Sequence, residues 1–514
     1  MSAATPDLPV PEGHPATRLP RLLLALALVL TAAAGIDGIT LGWNQDPERG
    51  LGTSAYVAPW VQNHVEHGLG VTLGAPVVHV GTGTPPAVMV NWHHPAFYPL
   101  WLAAFAAVLG DQPWVLRLAH LLLFLPSVPA LYLLVRRHGN AAAGAAAALL
   151  YAACPYTSYF GLMVIQDGIT MGLTVITCWL FQRHLDDPAK TRWWWPGLAF
   201  FLCGVNDIPG YFIGLSLFLL ALLHRDKARA LRAVAAMFAV SVAAFAATAV
   251  HYGLFLGGPL GFLRAMRNVS HFESGGAETV TAQDFVWQWQ RILVEERAWP
   301  VVLLALVGPL AAAGARVPGT RRLVAIAAIV GLPGVVNCVA FPAHAPHHIY
   351  WPLTTFLGFA VAAALAPVAA IALRAAGGAR RWLGTLLLAA TVAALGHGIV
   401  GSHALIGGKY DVIASEHRLV ERTMAPLRGC KYVLTTARTG YGSFFGSEYI
   451  VGGIDTPELL DVLLLRGKAS GMRDDVGFVL GAALADSPLR RRLQQLGQPI
   501  PGDGAILFRF PVPQ

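Results

Sequence analysis

Four carboxylates stand out by their settings: Asp46 and Glu48 in NQDPERG, Asp167 in VIQDGITMG and Asp207 in VNDIPGYF. A carboxylate within reach of a hydroxyl can act as a general base, and it can also orient a neighbouring group. Histidines accompany them: His93 and His94 precede Pro95, and His344, His347 and His348 stand in FPAHAPHHIYWP beside Tyr350 and Trp351. Such histidines can ligate a metal, donate hydrogen bonds to phosphate, or serve as polar residues at a membrane interface. His347 and His348 are adjacent, which suits a zinc site poorly.

Each acid also has a structural reading. Asp46 and Glu48 read as solvated loop carboxylates, Asp167 as a first-turn charge favoured by the helix dipole, and Asp207 as the cap of a helix starting at Ile208. No Ser/His/Asp arrangement, Walker loop or dinucleotide fingerprint occurs in the flanking structure it needs. Cys154, Cys178, Cys203, Cys338 and Cys430 are scattered, which gives neither a disulfide framework nor a Cys metal site.

The elements that must position these groups are membrane helices. Of 514 residues, 55% are hydrophobic and 12% charged, and the mean hydropathy is +0.55. A soluble chain of this length needs more charge to cover its surface, so the apolar mass must face lipid or other spans. The net charge of +8 comes from Lys and Arg in short clusters between apolar runs. That is the positive-inside pattern rather than a nucleic-acid-binding face.

Cutting the chain into runs of about 20 apolar residues gives about 11 crossings. They lie near 21–42, 113–136, 140–160, 165–183, 194–206, 208–224, 229–252, 299–316, 321–341, 349–375 and 381–400. With residues 1–20 as a cytoplasmic tail, each cytoplasmic turn is basic: Arg136/Arg137, Arg183/Lys190/Arg192, Arg225/Lys227/Arg229/Arg232, Arg316/Arg321/Arg322 and Arg374/Arg380/Arg381. Counting 94–110 as a full span would put Arg136 and Arg137 outside, so that stretch reads as an interfacial or re-entrant helix on the outer face. The short runs 194–206 and 208–224 read as a hairpin whose outward tip carries Asn206 and Asp207.

This leaves a transmembrane domain over 21–400 with outer loops 43–112 and 253–298, and an extracytoplasmic region 401–514. The first loop has an amphipathic stretch in which Val57, Trp60, Val61 and Val65 share one face, with Gln62, Asn63 and His64 elsewhere. In the second loop Phe285, Trp289, Ile292 and Leu293 share a face in the same way. The last region alternates β-rich runs (432–435, 449–451, 477–480, 505–510) with helical patterns at 456–465 and 485–496, which predicts a small α/β domain.

The order of features, HPAFYPL, LGDQPWVLRLAHLL, then YLLVRRHG, resembles the C-type membrane glycosyltransferases. It is similar in particular to the bacterial branch related to protein O-mannosyltransferases and to the lipid A aminoarabinose transferase. VEHGLGVTLGAP resembles that family's first-loop stretch, VNDIPGYF its Asp-Trp hairpin tip and HAPHHIYWPL its His-x-x-His-Asp-Tyr-Trp segment. The likeness runs over roughly 20–400. It departs at Ala96, where the family has a second Pro, at Ile208, where it has Trp, and at His348, where Asp is common.

The resemblance implies a polytopic α-helical protein of the C-type glycosyltransferase fold. Such an enzyme passes a hexosyl or pentosyl group from a polyprenyl-phosphate carrier to a glycan, lipid or protein hydroxyl outside the plasma membrane, by inverting single displacement. Glu48 or Asp46 would be the general base and Asp167 would orient the acceptor or base. The phosphate and substrate would meet His93, His94, Arg264, His344, His347, His348 and Tyr350, with Asp207 shaping the site. Some relatives hold a divalent metal, Mg or Mn, between carboxylates. The alternative class is a transporter or flippase, which predicts polar groups near the bilayer midplane and often an internal repeat. No repeat is visible, and the polar candidates gather at one face.

Overall fold

The structure is a computed structural model. It describes residues 15–37, 39, 53–80, 88–91, 94–273, 281–342, 345–346, 348, 350–427, 430, 432–435, 449–451, 456–469, 476–481, 484, 486–501 and 505–511. The chain opens with α1 (Pro15–Asp37), then α2 (Thr53–His67), the short α3 (Leu69–Thr72) and a ribbon of β1 (Val77–Val80) and β2 (Val88–Val90). Next come α4 (Phe97–Leu109), α5 (Pro113–Phe124), α6 (Ser127–His138), α7 (Ala141–Ala153), α8 (Pro155–Phe160), α9 (Gln166–Asp186) and α10 (Trp194–Gly204). A 3-10 turn, Ile208–Phe212, leads into α11 (Ile213–Leu223), followed by α12 (Lys227–Leu256), α13 (Pro259–Glu273) and α14 (Ala282–Gln290). The remaining bundle helices are α15 (Trp299–Gly314), α16 (Thr320–Ala340), α17 (Thr355–Ala363), α18 (Leu365–Ala375) and α19 (Gly378–Met424).

Among the described residues, every apolar run in the sequence overlaps one or more consecutive helices. Six are long and apolar enough to cross a membrane alone, or up to seven if the pair 282–295 and 299–314, bent by 100°, counts as one span. The protein is a multi-pass membrane protein. Local chemistry sets the helix ends: the Asn140 side chain accepts from Ala143 N at 2.8 Å, Asp226 accepts from Arg229 N at 2.9 Å, and α12 stops at Gly257 with φ +75°.

Hydropathy and burial part company in an informative way. On α12 and α19, Phe238, Val250, Trp382 and Leu386 are exposed, as lipid-facing side chains are. On α9, Thr170, Thr174 and Thr177 are buried, so this helix is polar because it runs inside the bundle. Where α16 and α17 cross, a Cβ on Gly334 would lie 2.5 Å from Thr355 Oγ1, and a Cβ on Gly358 would lie 2.5 Å from Ala327 O. Only glycine permits that approach.

The basic loops converge. Arg137 pairs with Asp186 at the end of α9, Arg229 donates to Leu185 O at 3.2 Å, and Arg322 is close enough for its charge to act on Arg137. One end of the bundle therefore collects the basic residues of these loops, Arg137, Arg229 and Arg322 among them.

The amphipathic first-loop stretch forms α2, with a correction to its faces. Val57, Trp60 and Val61 are buried as expected, but Val65 is 41% exposed and His64 is only 5% exposed. Thr72 draws His64 inward: its hydroxyl donates to Gly68 O at 3.1 Å, so at 2.8 Å it accepts from His64 Nδ1. Burial, reinforced by nearby His251, lowers the His64 pKa from 6.5 to about 4. The docked helix resists a proton that a freed His64 would accept, so docking is strongest above pH 6.5 and weakens as pH falls from 6.5 toward 4. Fluorine NMR of a fluorinated tryptophan at position 60 should show the transition in that window, and His64→Gln should abolish it.

After α19 the chain forms β3 (Tyr432–Thr435), β4 (Tyr449–Val451), α20 (Pro457–Ala469), β5 (Val476–Gly481), α21 (Pro488–Leu496), β6 (Pro499–Pro501) and β7 (Ala505–Phe510). The five-stranded sheet has the order β4-β3-β5-β7-β6. β3 is parallel to β4 and β5, and β7 is antiparallel to β5 and β6. Leu460, Leu464, Leu489 and Leu493 from the two helices pack on Val476, Phe478 and Phe508. Helix α19 runs unbroken past residue 401 to Met424, so the sheet begins about one long helix beyond the last span.

Candidate active site

Asp167 lies in the first turn of α9, whose N-cap is Ile165. The tip between α10 and α11 is brought against it. Asn206, fully buried, donates to Gln166 O at 3.0 Å and to Thr170 Oγ1 at 2.9 Å. Asp207 follows, 6% exposed, and accepts from Ile208 N at 2.9 Å. The capping expected of Asp207 is present, and its charge also reaches the Asp167 carboxyl. The tip is tight because Gly210 packs on α10: a Cβ there would lie 2.2 Å from Cys203 O.

A third element delivers His94. Its Nδ1 lies 3.8 Å from Asp207 Oδ1, its ring is 5.5 Å from Trp60 on α2, and the Tyr252 hydroxyl donates to its carbonyl. Across the cleft, Asp167 and Thr170 share a narrow pocket with Asn337 of α16 and with Tyr350, Trp351 and Thr354. About 10 Å³ of it is open to the centre of a water molecule, room for roughly one water.

His348 is held over this wall. Its Nδ1 is 2.8 Å from the Tyr350 hydroxyl, and its ring stacks on Trp351 at 5.0 Å and 15°. Gln288 of α14 donates to the carbonyls of Ala345 and His348, which ties the second outer loop to this segment. One turn on, Arg291 is 5% exposed, lies 4.6 Å from the centre of the Trp287 ring and leaves Nη2 without a hydrogen-bond partner among the described residues. Glu296 is 1% exposed. It and Asp167 both lie within electrostatic reach of Tyr156 on α8.

Asp167, Asp207, His94, His348 and Tyr350 are therefore gathered at one end of the bundle, away from the basic loops. Arg264 is exposed on α13. Asp46, Glu48, His93, His344 and His347 lie outside the described residues. Asn337, Gln288, Arg291 and Glu296 were not singled out in the sequence, although an amide inside the apolar run VGLPGVVNCVA is the kind of intramembrane polar residue that signals a site. Among the described residues, no group of three or more His, Cys, Asp and Glu is placed to hold a metal ion. Asp167 and Asp207 are the carboxylates here that could share one with further oxygen ligands.

Residues 93–253, which span His94, Asp167 and Asp207, match the family model described as dolichyl-phosphate-mannose-protein mannosyltransferase. No curated protein matches the chain. Among solved structures it is similar to ArnT from Cupriavidus metallidurans bound to undecaprenyl phosphate, with TM-score 0.61 and 16% identity over 96% of this chain and 98% of that one. It is also similar to the archaeal oligosaccharyltransferase AglB from Archaeoglobus fulgidus in complex with an inhibitory peptide and a dolichol-phosphate, with TM-score 0.53 and 12% identity over 96% of this chain and 76% of that one. The chain has the fold of the C-type membrane glycosyltransferases, as its motifs had indicated, and residues 93–253 match the mannosyltransferase family model.

Proposed function

We propose that the protein transfers a sugar from a polyprenyl-phosphate carrier to an acceptor hydroxyl, by inverting single displacement, at the extracytoplasmic face of a bacterial plasma membrane. The observation that carries this reading is the meeting of Asp167 and Asp207 at the bundle end opposite the convergent basic loops. By the positive-inside rule the basic end is cytoplasmic, so the acids face outward and the C-terminal sheet domain lies outside with them. Both similar structures are complexes with a polyprenyl-type phosphate, which supports a lipid-phosphate carrier here. A crevice of about 460 Å³ between α1, α7, α8 and α19, mostly apolar but with Asp37, His403, Ser158 and Ser402 in its lining, offers room for part of a lipid chain.

In this mechanism a first-loop acid, Glu48 or Asp46, takes the acceptor's proton as its oxygen bonds to the anomeric carbon. The bond from that carbon to the carrier phosphate breaks on the opposite side. Asp167 orients the acceptor, and Asp207 fixes the shape of the tip. Charge accumulates on the leaving phosphate, where Arg291, paired through Nε with Glu295 and with no partner for Nη2 among the described residues, joins His347, His348 and Tyr350 as donors. A divalent ion bound by Asp167 and Asp207 would supply further positive charge there.

Single replacements of the first-loop acids separate the base from its neighbour. One of Glu48→Gln and Asp46→Asn should lower kcat by about a hundredfold or more, and the other by less than about tenfold. Full activity in both would remove the first loop from the mechanism.

A further inference from the structure

We propose that α4 is a clamp that fixes Asp167 and Asp207 relative to one another, with Tyr98 and His120 as its positioning residues. The proposal rests on the reading of those acids as the reacting centre. Adjacent residues of α4 reach to the two arms. On one side, Phe97 N donates to Val205 O at 3.1 Å, two residues before Asp207, and His94, just ahead of the helix, lies 3.8 Å from Asp207 itself.

On the other side, the Tyr98 hydroxyl is 2.7 Å from His120 Nδ1, and His120 Nε2 is 2.8 Å from Gly161 O. A carbonyl can only accept, so Nε2 carries the ring proton, and in the neutral ring Nδ1 is the acceptor for the Tyr98 hydroxyl. Gly161 in turn meets the start of α9. A Cβ on Gly168 would lie 2.5 Å from Gly161 O, and Asp167 is the next residue back.

Both side chains are fully buried, and this relay runs between a helix that touches the tip of one acid and a turn that packs on Gly168, the residue after the other. Trp101 Nε1 adds a second staple of α4 onto α5, donating to Ala119 O at 2.9 Å. A buried polar relay in an apolar bundle specifies one arrangement where plain apolar packing would tolerate several. Here the arrangement specified is the spacing of the carboxylates.

The test uses purified full-length protein in bilayers supplied with a panel of synthetic undecaprenyl-phosphate sugars and with glycan, lipid and peptide hydroxyl acceptors, with released undecaprenyl phosphate measured by mass spectrometry. Tyr98→Phe and His120→Ala should each lower kcat roughly tenfold to a hundredfold while KM for the carrier stays within about twofold. His120→Gln should recover most of the loss, because its amide can donate to Gly161 O and accept from Tyr98. The double variant should be no slower than His120→Ala, since both changes cut one relay.

The clamp is overturned if Tyr98→Phe and His120→Ala keep kcat within about twofold of the parent. It is also overturned if kcat falls and KM rises together with no recovery in His120→Gln, which would mark ordinary packing. Should His120→Ala not fold, Tyr98→Phe, which removes a single oxygen, decides the matter. Asp167→Asn in the same assay separates the two readings. An active Asp167→Asn overturns the site, whereas an inactive Asp167→Asn beside a fully active Tyr98→Phe overturns the clamp alone.

Discussion

Asp167→Asn is expected to lower turnover of a polyprenyl-phosphate-linked sugar by about a hundredfold to ten-thousandfold while the protein stays folded. Asn has nearly the same shape and keeps a polar group in the first turn of α9, so the helix end and the packing against Thr170 and Asn337 survive. What disappears is a carboxyl whose negative charge is opposed by burial and by the neighbouring Asp207. Relief of that repulsion should leave thermal stability equal to or above that of the parent. The opposite movement of activity and stability marks a group kept for function rather than for folding. A loss of activity below about tenfold, with kcat measured alongside thermal unfolding, would remove Asp167 from the chemistry.

The second large effect is expected at Gly168. An added Cβ would stand 2.5 Å from Gly161 O and 3.0 Å from Gly161 C. These are backbone atoms, and they are already held: Gly161 N donates to Thr157 O at 2.8 Å, and Gly161 O accepts from His120 at 2.8 Å. Neither side can yield without moving the turn that delivers Asp167. Gly168→Ala should therefore cost about 1–3 kcal/mol of stability, as overpacking does, and should lower kcat by about a hundredfold through misplacement of the acid. Gly197→Ala is the control. There a Cβ first meets Val240 Cγ2 at 3.5 Å, an ordinary contact, so alanine should be neutral or slightly stabilising in α10.

Much of this architecture was legible in the sequence because bilayers impose a simple rule. Spans must be long, apolar and helical, and every apolar run duly met a helix. The C-terminal sheet was legible for a similar reason: the β-rich runs at 432–435, 449–451, 477–480 and 505–510 all fall within strands, set between helices with a helical apolar period. The strand Pro499–Pro501 escaped notice because two prolines argue against pairing. It is tolerated because it pairs only with β7, at the edge of the sheet.

The length of α19 escaped for a different reason. Its last part, KYDVIASEHRLVERTM, carries enough charge to leave the membrane yet keeps helical residues throughout.

The site was readable where a motif places an acid at a helix end, as for Asp167 and Asp207. It was not readable where a side chain turns inward against its own pattern. His64 sits on the nominally polar side of α2, but Thr72, eight residues later, offers it a partner. Gln288 likewise gains its meaning only from the segment around His348, whose carbonyls it meets from 57 and 60 residues along the chain.

The measurement that tests the central claim most directly follows one carrier molecule on both counts at once. The purified protein is reconstituted into vesicles with a doubly labelled undecaprenyl-phosphate sugar, one label on the sugar and one on the lipid. The cleavage of the sugar–phosphate bond and the leaflet occupied by the lipid are recorded together. The expected result is that sugar leaves the lipid and appears on an added acceptor, with undecaprenyl phosphate released in equal amount and no protein-dependent change of leaflet. Movement of the intact carrier between leaflets, with the two labels still joined, would contradict a transferase and identify a transporter on the same fold.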